Sequence, residues 1–257
     1  MDTNYIISTD GAKIAYHITG QGFPLLLVHG SGHSKELWQN LGWIDSFQNH
    51  FTTISIDIRG NGESNKSYDP GFYSIDYILD DIKSVIKASG FHEFCYFGHS
   101  YGATIGLQAL ASQLPIRKAV LASSMFGDRF FKKIVPAWIK EYSSYQDKKK
   151  NGELENLKVS EEDLEWIERT DLNLWIAQFK AWTHWNGVSI DQIKSPLAIY
   201  SGRNDNKAVL MNLEHNKIEL KNHGIEIKIF EELNHSELVT KKDICLPWVI
   251  ENLLTSS

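Results

Sequence analysis

The chain has 257 residues, 42% of them hydrophobic and 23% charged, with a formal net charge of −6. That length buries one large core, and the composition is that of a folded globular protein. The negative balance argues against nucleic acid or an anionic membrane as a partner, and no apolar run approaches the ~20 residues that span a bilayer. Met1-Asp2-Thr3-Asn4 lacks the basic, then apolar, start of a signal peptide, so a cytoplasmic location is expected. Cys95 and Cys245 fall in an apolar strand and an apolar helix, which predicts two buried free thiols and a reducing compartment.

In chain order, Tyr5-Ile6-Ile7 and Lys13 to Ile18 flank the turn Thr9-Asp10-Gly11 and read as a hairpin. Pro24-Leu25-Leu26-Leu27-Val28 is continuously apolar and suits a strand buried on both faces. A strand is predicted over Thr52 to Ile58 and a helix over 74–89, where Ile75, Ile78, Leu79, Ile82, Val85 and Ile86 recur at helical spacing. Glu93 to Phe97 reads as a buried strand, Ala103 to Ala111 as a helix and Arg117 to Ala122 as a strand. From about Met125 to Ile193 only helical signals occur, with Pro136 interrupting the first pattern, Ser160 to Asp163 resembling a capping box and Asp171 capping a helix to Trp185. The basic run Lys148-Lys149-Lys150 reads as a solvated loop tip. The alternation then resumes with a strand from Leu197 to Ser201, a helix from Val209 to Asn222, a strand from Ile225 to Phe230 and a helix from Lys242 to Leu254. Strands alternating with helices predict an α/β fold with a doubly wound, mostly parallel sheet. The expected division is a core of 1–124 and 194–257 and a helical lid insertion of 125–193.

Gly98-His99-Ser100-Tyr101-Gly102 lies between the predicted strand and helix. A serine on a sharp strand-to-helix turn is pushed out of the backbone, and flanking glycines allow the close approach the turn requires. The same turn aims the Tyr101 N–H toward a developing oxyanion. The bland alternative is a glycine-flanked surface serine, which the strand–turn–helix context disfavours. A serine hydroxyl needs a base held by a carboxylate, and in open α/β sheets such groups lie beyond the carboxyl ends of strands. Asp205 follows the strand Leu197 to Ser201, and His235 follows the final strand. The order Ser, Asp, His is the order expected for this elbow.

With these residues the sequence resembles the α/β-hydrolases, in particular the lidded, esterase-like branch that includes carboxylesterases and meta-cleavage-product hydrolases. The likeness covers nearly the whole chain and includes His29-Gly30-Ser31-Gly32, Asp57-Ile58-Arg59-Gly60-Asn61-Gly62-Glu63-Ser64 and Lys194-Ser195-Pro196-Leu197. It implies eight strands, the second antiparallel, and a second oxyanion N–H from Ser31. It also implies that His99 points away from the pocket. Two departures or rivals follow from it. Asn234 stands where a glycine usually precedes the histidine, and Asp128 occupies the region after a strand where some members keep the acid. His223 reads as a helix C-terminus residue, His29 as a residue that shapes its loop and His184 as packing or a substrate contact.

Five of the eight tryptophans fall in the insertion, and Trp175, Phe179 and Trp182 share one helix face. Any one ring is more simply read as packing. Together they favour an apolar pocket, with Trp182 as the candidate wall. No metal motif or phosphate-cradling loop is present, so no cofactor is expected. The sequence predicts a serine hydrolase acting on an ester-like bond of a small, largely apolar molecule, with Ser100, Asp205 and His235 as the triad, and it leaves oligomeric state open. C–C bond hydrolysis, acyl transfer and perhydrolysis use the same triad. A triad-retaining small-molecule receptor with slow turnover is the alternative from another class.

Overall fold

The computed structural model describes residues 1–254. Eight strands form one sheet: β1 (Asn4–Ile7), β2 (Lys13–Gly20), β3 (Phe23–Val28), β4 (Phe51–Ile56), β5 (Phe94–His99), β6 (Ile116–Ala122), β7 (Leu197–Asn204) and β8 (Glu226–Asn234). Their spatial order is β1-β2-β4-β3-β5-β6-β7-β8. β2 is antiparallel to both β1 and β4, and every other pairing is parallel. The doubly wound α/β sheet read from the sequence is therefore present, with its second strand reversed.

The helices are α1 (Glu36–Asn40), α2 (Trp43–Phe47), α3 (Ile75–Ala88), α4 (Tyr101–Ala111), α5 (Val135–Asn151), α6 (Glu161–Arg169), α7 (Leu172–Trp182), α8 (Lys207–Asn222), α9 (Glu237–Thr240) and α10 (Lys242–Leu254). The pleat of the central strands sorts their side chains between two cores. Leu26 and Val28, Phe94 and Tyr96, and Leu197 and Ile199 join the core under α3, α4 and α8. Leu25 and Leu27, Cys95 and Phe97, and Ala198 and Tyr200 join the opposite core, with Trp38, Trp43 and Phe47 from α1 and α2 and Cys245, Val249 and Leu253 from α10. Strands buried on both faces need apolar residues at every position, not alternate ones, and this explains the unbroken run in β3.

Both cysteines are free and buried, as expected, and burial raises the Cys95 thiol to about 11 and that of Cys245 to about 12.

The segment between β6 and β7 holds helices joined by turns, and its one extended pairing is a bridge between Gly127 and Val188. Pro136 does not interrupt it. A π-helical turn over Phe130–Ile134 passes directly into α5, and Pro136, the second residue of α5, falls where the hydrogen-bond ladder changes spacing, an irregularity that tolerates a residue without an N–H. Lys148, Lys149 and Lys150 are not a loop tip. They form the last turn of α5, ahead of a left-handed Gly152, where cations favour exposed carbonyls; Lys149 Nζ donates to the carbonyls of Ile167 and Thr170. Ser160 does cap α6, its hydroxyl accepting from the Asp163 N–H.

Trp43 anchors the second core. Its indole N–H donates to the Val239 carbonyl, and its ring lies 4.9 Å from that of Phe97. Trp43→Ala is expected to lower stability by about 3–5 kcal/mol in denaturant unfolding, as large cavities do. Ile218→Ala, at a side chain 78% exposed, should stay within about 0.5 kcal/mol.

Candidate active site

The chain leaves β3 toward β4 on one side and later places β5 on the other, so the sheet order reverses between these strands. Loops leaving two such strands part and open a crevice at their carboxyl ends. The loop after β3 carries Ser31, and the turn after β5 carries Ser100.

Ser100 has φ 54° and ψ −111°, a strained backbone for a residue with a side chain. Packing imposes it. A Cβ on Gly102 would overlap the Val28 carbonyl, and one on Gly98 would come 2.6 Å from the Gly102 carbonyl oxygen. Glycine at both positions lets the turn close against β3. Tyr101 is the first residue of α4, so its N–H has no acceptor within the helix. The Ser31 N–H makes no backbone hydrogen bond among the described residues.

Three side chains from three separate strand ends converge here. His235 Nε2 lies 3.0 Å from Ser100 Oγ, and His235 Nδ1 lies 2.7 Å from Asp205 Oδ1. Asp205 is buried and held from two further sides, by the Ser201 hydroxyl at 2.7 Å and the Asn206 N–H at 2.6 Å. Burial works to raise its pKa, but the hydrogen bonds from His235 and Ser201 prevail and bring it down to about 2. Such a set can draw the serine proton to the imidazole and stabilise the resulting cation. Asp128, the rival acid, is exposed at the start of the helical segment and makes no contact with His235. His223 is exposed too, with its Nδ1 on the Glu219 carbonyl. His184 is exposed.

Asn234 has a local reason to replace glycine. Its side-chain oxygen accepts the Glu237 N–H at 3.0 Å, and its own N–H donates to Glu237 Oε2 at 2.9 Å. This reciprocal pair fixes the bend into α9 right beside His235.

Sequence reasoning missed two neighbours of His235. Ser123, at φ 60°, places its hydroxyl oxygen 3.1 Å from His235 Nδ1, as a second acceptor beside Asp205. His99 points away from the cavity, but its Nε2–H donates to the His235 carbonyl at 3.0 Å. A carbonyl can only accept, so the proton is on Nε2 and the buried Nδ1 is bare. Burial, aided by the His235 charge, lowers the His99 pKa to about 3. His29 is also neutral, lowered to about 4 by burial. Its Nδ1–H donates to the Gly30 carbonyl and its Nε2 accepts the Ile58 N–H, tying the Ser31 loop to the end of β4. Ser123 follows the last residue of β6 directly, and that place is the sequence signal for its role, although its side chain is a hydroxyl and not a carboxylate.

Ser100 and His235 open into a cavity of about 380 Å³. Ser31, Tyr101, Trp182 and Trp138 line it, together with Phe130, Phe131 and Ile134 of the π-helical turn, which the sequence reading had not singled out. Trp182 is 2% exposed, and its ring centroid lies 4.4 Å from that of Tyr101. Among the described residues no cluster of histidine, cysteine or carboxylate side chains could hold a metal ion, and no helix is long and apolar enough to cross a membrane.

Residues 24–228 match the family model described as alpha/beta hydrolase fold. Epoxide hydrolase 3 of Mus musculus is 31% identical over 101 residues, which cover 38% of this chain and 27% of that protein. A soluble epoxide hydrolase of a Corynebacterium species is 29% identical over 103 residues, covering 40% and 35%. The chain thus spans roughly a third or less of the length of these relatives. Among solved structures, an esterase from Exiguobacterium antarcticum superposes with a TM-score of 0.74 at 20% identity, over 99% of this chain and 100% of that one. A mutant epoxide hydrolase from Bacillus megaterium gives 0.72 at 19% identity, over 98% and 100%. At these identities the likeness is one of fold.

The depressed pKa of Asp205 makes a signed prediction. A carboxyl whose folded value lies below its unfolded value of about 3.9 stabilises the fold above that pH and ceases to as pH falls through about 2. Asp205→Asn should therefore flatten the acid-induced fall in the thermal midpoint between roughly pH 4 and 2, whereas Asp128→Asn should leave that fall unchanged. The opposite ranking would mean that Asp205 is not held as described.

Proposed function

The chain belongs to the α/β-hydrolase family, and on that premise we propose that it is a serine hydrolase cleaving an ester-like bond of a small, largely apolar molecule. Ser100 Oγ attacks the acyl carbon while its proton passes to His235 Nε2. Asp205 holds the imidazole and stabilises its charge, with Ser123 sharing the Nδ1–H. The N–H groups of Ser31 and Tyr101 receive the negative oxygen. As the tetrahedral carbon collapses, the bond to the leaving oxygen breaks and His235 returns the proton to it. Water then attacks the acyl-enzyme with His235 again as base, freeing the acid and Ser100. Residues 125–193 act as a lid, and no cofactor takes part.

The observation that carries this reading is the 3.0 Å approach of His235 Nε2 to a serine at the strained turn. It also weighs against epoxide opening, the activity in the names of several relatives. An alkoxide that opened an epoxide would form an ether. An ether has no acyl carbon for water to attack, so the enzyme would stall after one event. An ester of serine turns over.

The test is a series of p-nitrophenyl esters of increasing chain length, read alongside fluorophosphonate labelling. Multiple turnovers and labelling at Ser100 are expected. Ser100→Ala should abolish both with an unchanged thermal midpoint, a loss on the order of 10⁴- to 10⁶-fold in kcat. Labelling that survives in this variant would refute the assignment. A single burst without turnover would favour the receptor reading, and sustained hydrolysis of styrene oxide that requires Ser100 would favour the epoxide one.

Trp182 both lines the cavity and packs against Tyr101, Phe130, Phe179 and Trp185. Trp182→Ala should lower the thermal midpoint and also shift kcat/KM toward bulkier acyl groups by about 1–3 kcal/mol. An unchanged ester profile would reduce Trp182 to packing alone.

A further inference from the structure

A second cavity, of about 580 Å³, lies between α5 and α6. Trp138 lines both cavities and so forms their common wall. On α5 the lining falls at positions 138, 141, 142 and 145, a single helical face. On α6 it falls at 162, 163, 166 and 167. Half-buried rings of Tyr142, Tyr145 and Trp166 make a continuous aromatic surface. The Tyr142 ring centroid lies 5.8 Å from that of Trp166, edge to face, and 5.9 Å from that of Tyr145.

Three exposed carboxylates, Glu141, Glu162 and Asp163, stand among these rings. Glu141 accepts the Tyr145 hydroxyl at 2.7 Å, and Asp163 accepts that of Ser160 at 2.6 Å. Among the described residues none of the three is paired with a lysine or arginine. Lys149, on the same helix, is turned to backbone carbonyls instead. The charge is felt inside the groove: burial first, then Glu141 and Asp163, raise the Tyr142 phenol.

Aromatic faces attract cations through their quadrupole, and nearby carboxylates add to the same potential. An anion would be repelled. A neutral apolar ligand would gain nothing from three unpaired negative charges, and a bare ammonium would leave the rings uncovered. A cation that also carries methyl groups uses both features. We infer that the α5–α6 groove is a binding site for a small organic cation of the quaternary-ammonium class. The site needs no chemistry at Ser100 and stands apart from the ester reading.

Choline and its neutral isostere 3,3-dimethyl-1-butanol separate charge from shape. Each is titrated into the full chain at low ionic strength and followed by tryptophan fluorescence and calorimetry. Saturable binding of choline is expected, at least about fivefold tighter than the neutral alcohol. Glu141→Gln with Glu162→Gln should weaken choline by about fivefold and leave the alcohol unchanged, since both side chains are exposed and the fold does not rest on them. Tyr145→Ala, which alters only the second cavity, should weaken choline similarly. Equal affinity for the two probes, or choline binding indifferent to the glutamate pair and to Tyr145→Ala, would overturn the proposal. So would the absence of binding at tens of millimolar choline.

Discussion

The left-handed backbone at Ser100 is the constraint from which the site follows. It persists because Gly98 and Gly102 bring the start of α4 against the end of β3, closer than any side chain allows. A relaxed turn would move the hydroxyl away from His235 and tilt the first amides of α4 away from the crevice. Strain of this kind costs on the order of 1–3 kcal/mol and survives only where the surroundings over-determine it. Here the surroundings are the two apolar cores, which clamp β5 from both sides through Tyr96 and Phe97.

The opposite wall of the crevice is held by buried charge. Lys35 is fully buried and its ammonium meets Glu36, Asp57 and Glu63 at 2.7, 3.1 and 2.6 Å. Asp57 also accepts the Lys35 and Glu63 N–H groups, so one carboxylate closes both the loop after β3 and the turn after β4. Arg59, also fully buried, grips Asp81 with two nitrogens and reaches Asp10 and the Phe72 carbonyl with the third. Buried ion pairs are poor sources of net stability, because desolvation offsets the attraction. Their directionality gives them another use. They fix the loop after β3, which carries Ser31, relative to the turn after β4, a relation that apolar packing would leave softer.

The elbow, Asp205 and His235 were legible because each combines a residue type with a place just after an apolar strand, and both signals are local. The sheet was legible for the same reason. α1 and α2 were not, since five-residue helices carry less than two turns of periodicity. α5 was misread at both ends. Proline inside a pattern looks like a break until its position at the start of α5 is known, and three lysines look like a loop until Lys149 is seen reaching the carbonyls of Ile167 and Thr170 at the end of α6. Ser123 and His99 lie outside what sequence spacing can show, because each acts through an atom of His235 more than a hundred residues away in the chain. The α5–α6 groove was half visible: the rings were noted, but which of them face each other depends on how two helices pack.

Cys95 and Cys245 lie in the same apolar core, one in the strand that ends at the elbow and the other in the closing helix. With their thiols raised well above neutrality, they are shielded from alkylating reagents by both burial and protonation. The native protein therefore carries its own clock for core opening. A thiol reagent too large to enter the folded state reacts only with molecules whose sheet has parted from α10, and the labelling rate measures how often that happens. Because β5 also sets the serine turn, the same slow labelling reports on the integrity of the strand that holds the site, with no substrate needed.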